Sequence, residues 1–177
     1  MCIRDRLNGT ANYILSEMEV AEKGFEEVLA DAQKKGYAEA DPSFDIDGID
    51  AAHKTIILSG LAYGKMPNLE DLSIQGIREI SLNDIKYCND LGYKIKLLGN
   101  SLISKDLNGK EELFCSVKPW LIAKNFGLSN VSGVINAVQI ESSLAGSVMI
   151  TGAGAGGEPT ASACLLYTSP SPRDSFR

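Results

Sequence analysis

Tyr93-Lys94-Ile95-Lys96-Leu97 is where the hydrophobic period of the chain changes, and the architecture follows from what lies on either side of it. Polar and apolar residues alternate here, the pattern of a strand with one buried face. Leu113-Phe-Cys-Ser-Val117 follows after a polar turn around Asn108-Gly109, and Val131 to Glu141 and Ser147 to Thr151 are β-rich too. On the N-terminal side the period is helical. Phe25, Val28, Leu29 and Ala32 follow the i, i+3, i+4, i+7 spacing with Gly36 as a C-terminal stop, which predicts a helix over Phe25 to Lys35. Asp50 to Tyr63, ending at Gly64, and Ser81 to Leu91 are expected helices, and Asn8-Gly-Thr-Ala-Asn-Tyr13 opens another at Ile14 to Met18. Helices first and antiparallel strands later predict an α+β layer architecture in one domain, without internal repeats.

The two ends read differently from the middle. Met1-Cys-Ile-Arg-Asp-Arg6 can be encoded by ATG TGT ATA AGA GAC AG, whose reverse complement, read one base in, is TGT CTC TTA TAC ACA T. That string encodes Cys164-Leu-Leu-Tyr-Thr168. Continued through Ser169-Pro-Ser-Pro-Arg-Asp174, the tail resembles a translated sequencing-library adapter. An inverted repeat joining two unrelated peptides is hard to obtain by chance, so residues 1–6 and 164–177 are expected to be foreign, the tail disordered, and Leu7 to Ala163 the natural segment, truncated on both sides.

Charge narrows the function classes. The chain carries a net charge of −6, and each end contributes a surplus of one positive charge, so the middle is more acidic still. Nucleic acid and anionic membranes are poor partners for it. No run approaches the roughly 18 apolar residues of a membrane span, and the start lacks the apolar core of a signal peptide. Cys88 and Cys115 have no metal-ligand spacing and read as reduced, buried thiols of a cytoplasmic protein.

The chemistry concentrates in Gly36-Tyr-Ala-Glu-Ala-Asp-Pro-Ser-Phe-Asp-Ile-Asp-Gly-Ile-Asp-Ala-Ala-His-Lys54. Asp50 and Lys54 stand four apart and share one helix face, while Glu39, Asp41, Asp45 and Asp47 come from the loop that feeds that helix. Such a group can hold a substrate ammonium and hand a proton to a carbonyl; a solvated acidic loop with a surface ion pair is the plainer alternative. Ala51, Ala52, Ile56, Ile57 and Leu58 around Lys54 predict an apolar, buried helix. His53 projects about 100° away from Lys54 and reads as a packing residue. An EF-hand fails because Lys54 would occupy its twelfth position, where a bidentate glutamate is needed. Gly152-Ala-Gly-Ala-Gly-Gly157 matches G-x-G-x-x-G but lacks the acidic residue about 20 positions on, so it stands as a glycine loop that lets backbone approach a cofactor, or as a tight strand-to-helix turn.

Ala32 through Lys54 fits A-x-x-x-G-[aromatic]-x-E-x-D-P-x-x-D-[aliphatic]-x-G-x-D-x-x-x-K at every position, and with it the chain resembles the catalytic domain of the homoserine dehydrogenase family. Leu7-Asn-Gly-Thr-Ala-Asn-Tyr-Ile14, Leu91-Gly-Tyr-Lys-Ile-Lys-Leu97, Gly152-Ala-Gly-Ala-Gly156 and Pro159-Thr-Ala-Ser162 agree with the family in order. The resemblance implies a mixed, largely antiparallel sheet covered by helices, a homodimer formed through this domain, and reversible reduction of L-aspartate 4-semialdehyde to L-homoserine with NADP or NAD, on the route to threonine, methionine and isoleucine. It implies Lys54 as proton donor with Asp50 beside it, Glu39, Asp45 and Tyr37 at the substrate, and Gly36, Gly152, Gly154 and Gly156 at the cofactor. The family's Rossmann domain and much of its monovalent-cation site fall outside the quoted blocks, so the isolated chain is expected to be inactive. The competing class is a non-catalytic dimerisation or amino-acid-binding module.

Overall fold

The computed structural model describes residues 1–105 and 107–168. In chain order it contains strand β1 (Cys2–Arg6), helices α1 (Gly9–Ala21), α2 (Phe25–Lys34), α3 (Ser43–Ile46) and α4 (Ile49–Tyr63), strand β2 (Ser73–Ile74) and helix α5 (Leu82–Asp90). Strands β3 (Tyr93–Lys105), β4 (Glu111–Ala123), β5 (Ile135–Ser142) and β6 (Gly146–Ala153) follow, then helix α6 (Gly157–Thr168). The strands form one sheet in the order β2-β4-β3-β1-β5-β6, antiparallel throughout except for the parallel pair β2 and β4. The expected α+β class, a mixed and largely antiparallel sheet with helices, is the fold observed.

Local chemistry sets the helix ends. Asn8 caps α1 by accepting a hydrogen bond from the Ala11 amide, and Ser81 caps α5 in a reciprocal box with Asp84. The carbonyl of Ala32 near the end of α2 accepts from the Tyr37 amide across Gly36, whose φ of +75° is the left-handed conformation that favours glycine. The sequence pattern therefore locates α2 and α5 to within a residue.

The core lies between the helices and one face of the sheet. Ile14 and Met18 of α1, Val28 and Ala32 of α2, Ala51 and Ala52 of α4, Leu97 of β3 and Val117 of β4 are buried together. Leu98, one residue on and therefore on the opposite face, joins Ile122, Leu128, Val131 and Ala137 in a smaller cluster. Asn12 stitches α1 to β3: its carboxamide donates to the Leu97 carbonyl at 3.0 Å and accepts from the Leu97 amide at 3.0 Å. The β1 ladder covers β3 only from Gly99 to Leu102, so the Asn12 side chain satisfies backbone that β1 does not reach.

Helix α4 differs from the expected apolar rod. It buries small and hydroxylated residues, Ala51, Ala52, Thr55 and Ser59, and leaves Ile57 and Leu61 exposed. The reason is close approach to the sheet: a Cβ on Gly99 would lie 2.0 Å from the Thr55 hydroxyl. Cys88 and Cys115 are free thiols and half-buried rather than buried.

Residues 2–6 and 164–168 both take regular structure. Residues 2–6, expected to be foreign to the domain, occupy the strand position between β3 and β5, because backbone pairing is open to almost any residue type. Their side chains fit it unevenly. Ile3 is buried, and so are Asp5 and Arg6, at 1% and 0% exposure. Asp5 Oδ1 and Arg6 Nε have no hydrogen-bond partner. Desolvation lifts the Asp5 carboxyl to about 7 against a hydrogen bond from Thr55 and the charge of Lys54, and desolvation draws Arg6 down to about 10. At the other end, Cys164 to Thr168, expected to be disordered, continue α6, since Ala161-Ser-Ala-Cys-Leu-Leu166 contains no helix breaker; residues 169–177 of the expected tail lie outside the described residues.

Candidate active site

The acidic stretch folds into a turn of helix followed by a long one, and this separates its carboxylates. Asp45 lies on α3 and Asp50 in the first turn of α4, where a carboxylate also meets the positive end of the helix dipole. Both turn inward to Asn8. The Asn8 Nδ2 donates to Asp45 Oδ1 at 2.7 Å and to Asp50 Oδ2 at 2.9 Å, while its Oδ1 is held by the Ala11 amide at 2.7 Å. A buried amide thus holds two carboxylates side by side and keeps α1 capped.

Lys54, one turn beyond Asp50, donates to Asp50 Oδ2 at 2.7 Å and to the Leu7 carbonyl at 3.0 Å. An ammonium has three hydrogens, and these bonds leave one for a ligand. Lys54 and Asp50 face a cavity of about 300 Å³ with Asn8, Thr10, Tyr13, Gly36, Tyr37, Asp45, Asn136 and Gly154. Tyr13 and Tyr37 pack at 4.7 Å between ring centroids, and the Thr10 hydroxyl donates to the Tyr37 carbonyl at 3.2 Å, tying α1 to the turn after α2.

The structure brings together Lys54, Asp50, Asp45, Tyr37, Gly36 and Gly154 of the expected site. It leaves the others out. Glu39 is exposed and does not line the cavity, and Gly152 and Gly156 flank the cavity-lining Gly154 without lining it themselves. Asp47 turns away to pair with Arg78, and Asp41 accepts from the Ser43 amide. His53 stacks on Phe44 at 5.7 Å, away from the cavity, as its position on the helix predicts. Among the described residues no group of three or more His, Cys, Asp or Glu side chains is arranged to hold a metal ion.

On the wall of this cavity a Cβ added to Gly36 would meet nothing, so the backbone there is open to a ligand. The family model described as homoserine dehydrogenase matches residues 2–166. The chain belongs to the homoserine dehydrogenase family. It is 48% identical over 159 residues to homoserine dehydrogenase from Helicobacter pylori, covering 90% of this chain and 37% of that one. With the Neisseria gonorrhoeae homoserine dehydrogenase the figures are 47%, 90% and 35%. The solved homoserine dehydrogenase of Thiobacillus denitrificans superposes with a TM-score of 0.89 at 42% identity, over 94% of this chain and 38% of that one. A hyperthermophilic archaeal homoserine dehydrogenase solved in complex with NADPH gives a TM-score of 0.76 at 30% identity, over 94% and 46%. The chain therefore spans a little over a third of the length of the curated relatives it matches.

Asn8, Thr10 and Asn136 line the homoserine dehydrogenase cavity and were not among the residues the sequence pointed to. Asn8 carried a signal, as a capping residue ahead of a helix. Asn136 carried another, as a lone amide in the apolar run Val134-Ile-Asn-Ala-Val138.

Proposed function

We propose that this segment is the catalytic domain of a homoserine dehydrogenase that interconverts L-aspartate 4-semialdehyde and L-homoserine with NADPH or NADH, in the cytoplasm, on the route to threonine, methionine and isoleucine. The observation that carries the reading is the Lys54 ammonium, held by Asp50 and the Leu7 carbonyl at the wall of a cavity large enough for a small amino acid. In the reducing direction the cofactor supplies the hydride to the aldehyde carbon.

The residues of this chain do the rest. The remaining Lys54 hydrogen points the substrate carbonyl oxygen at Nζ and passes to it as negative charge develops there, so the oxygen leaves as a hydroxyl. Asp50 holds the ammonium in place. Asp45, which gives one oxygen to Asn8, has the other for the substrate ammonium. Gly36 and Gly154, the latter flanked by Gly152 and Gly156, would hold the nicotinamide cofactor when it is bound.

The same domain forms a homodimer through the sheet face opposite α4. Leu102, Phe114 and Trp120 alternate there with residues turned toward the helices, and all three are exposed in the single chain. Lys54→Ala in the full-length enzyme tests the catalytic reading. The expected result is a fall in kcat of about 10²–10⁴-fold with the fold intact; undiminished turnover would leave a binding module. The segment by itself, at about a third of its relatives' length, is expected to reduce no aldehyde.

A further inference from the structure

Asn136 stands across the cavity from α4, on β5, where its strand partner is Gly152 of the glycine loop. Its Nδ2 faces the Leu7 carbonyl at 3.5 Å, the same carbonyl that accepts the Lys54 ammonium at 3.0 Å. The Oδ1 is fully buried and has no partner. The carboxamide also lies flat against the loop: a Cβ on Gly154 would come within 1.8 Å of Asn136 Nδ2. The backbone φ of Gly154 is not positive, so it is this contact, and not backbone conformation, that excludes a side chain there. Turning the amide over would aim its oxygen at the Leu7 carbonyl oxygen, which is repulsive, so the orientation with the orphaned acceptor is the favourable one.

We infer that Asn136 is a positioning residue that couples the Gly152 to Gly156 loop to the proton donor, through the Leu7 carbonyl that it shares with Lys54. The inference rests on the dehydrogenase reading of the site. Any ligand that presses on Gly154 presses on the carboxamide, and the carboxamide sets how far the Leu7 carbonyl can turn from Lys54. Asn136 touches no reacting atom in this account. Its contribution appears in the chemical step, not in the affinity for the aldehyde.

The experiment is a double-mutant cycle in the full-length enzyme, with kcat, KM for the aldehyde and thermal midpoint measured for each variant. Asn136→Leu keeps the branched shape and removes the donor, and Asn136→Ser, too short to reach Leu7, serves as its independent check. Both are expected to lower kcat about tenfold while KM stays within about twofold, the loss of one hydrogen bond made to a positioned group. Gly154→Ala is expected to lower kcat as well, by displacing the carboxamide, and Asn136→Ala is expected to relieve it, so that the double variant loses no more than the worse single one. Wild-type kcat in Asn136→Leu, or strictly additive losses in the Gly154 and Asn136 pair, overturns the inference. A wild-type enzyme without turnover on the semialdehyde sinks the dehydrogenase reading and this inference with it, whereas an active enzyme indifferent to Asn136 sinks this inference alone.

Discussion

Two groups of charges meet where β1 runs beside α4, joined by the hydrogen bond from Thr55 to Asp5, and they are treated in opposite ways. At the corner of α1 and α4, Asp45, Asp50 and Lys54 are partly exposed, and each has a partner within hydrogen-bonding distance. On β1, Asp5 and Arg6 are buried in the middle of the sheet, and each keeps an atom with no partner. The corner has what a working charge needs: a fixed position, satisfied bonds and access to a ligand. The strand carries charge where burial outweighs the help that Thr55 and Lys54 give, which costs stability and gives nothing that a ligand could reach. Both regions are held by the same backbone framework, so the contrast lies in the side chains.

The largest expected effect tests the strand. Asp5 titrates at about 7 in the folded chain against 3.8 as its ordinary value, because burial disfavours the carboxylate. The folded state then binds more protons than the unfolded one between those values. Stability is present below about pH 4 and is lost as pH rises toward 7, by on the order of 4 kcal/mol. Asp5→Asn, the same shape without the charge, is expected to remove that loss: denaturant unfolding would show it close to the wild type at pH 4 and more stable at pH 8. A wild-type chain as stable at pH 8 as at pH 4 would mean that Asp5 belongs where it sits. The source genome bears on the same point. If residues 1–6 are adapter, reading outward across the codon for Leu7 would replace Asp5 and Arg6 with residues that suit a buried strand, and a genome that encodes both as written would refute the adapter origin.

The next effect tests the corner. Asn8→Ala removes the cap of α1, worth about 1 kcal/mol, and also the single donor that holds two carboxylates together. Destabilisation of about 2–3 kcal/mol is expected, since a buried network loses several bonds at once. Turnover should fall too, because Asp50 Oδ2 accepts from both Asn8 and Lys54. A variant that loses stability but keeps kcat would reduce Asn8 to a helix cap.

Much of this was legible in the residues, and the limits have physical causes. The helical spacing and stop signals locate α2 and α5, and the switch to alternation at Tyr93 locates β3, because these signals are local. The short α3 escapes because four residues show no period. Strand β1 and the single parallel pair of β2 with β4 escape because a ladder is chosen by the whole sheet. In the site, the spacing of Asp50 and Lys54 suffices to join them. Asn8 and Asn136 are joined to them by tertiary folding alone, across 42 and 86 positions of chain from Asp50.

The smallest expected effect separates the carboxylates of the acidic stretch from one another. Composition treats Asp41, Asp45, Asp47 and Asp50 alike, but only Asp45 and Asp50 face the cavity. Asp47 makes a paired contact with Arg78, through Arg78 Nε at 2.5 Å and a second nitrogen at 3.1 Å, with both side chains more than two-fifths exposed. An ion pair in that setting contributes little, because water and salt screen it. Asp47→Asn should therefore leave the thermal midpoint almost unchanged, and still more nearly so at high salt. It should leave both kcat and the aldehyde KM unchanged in the full-length enzyme. A marked loss of turnover would place Asp47 at the ligand after all, through a movement of α3 that brings its carboxylate round from Arg78, and would make the acidic stretch a single mobile grip instead of two inward residues and an outer, solvated rim.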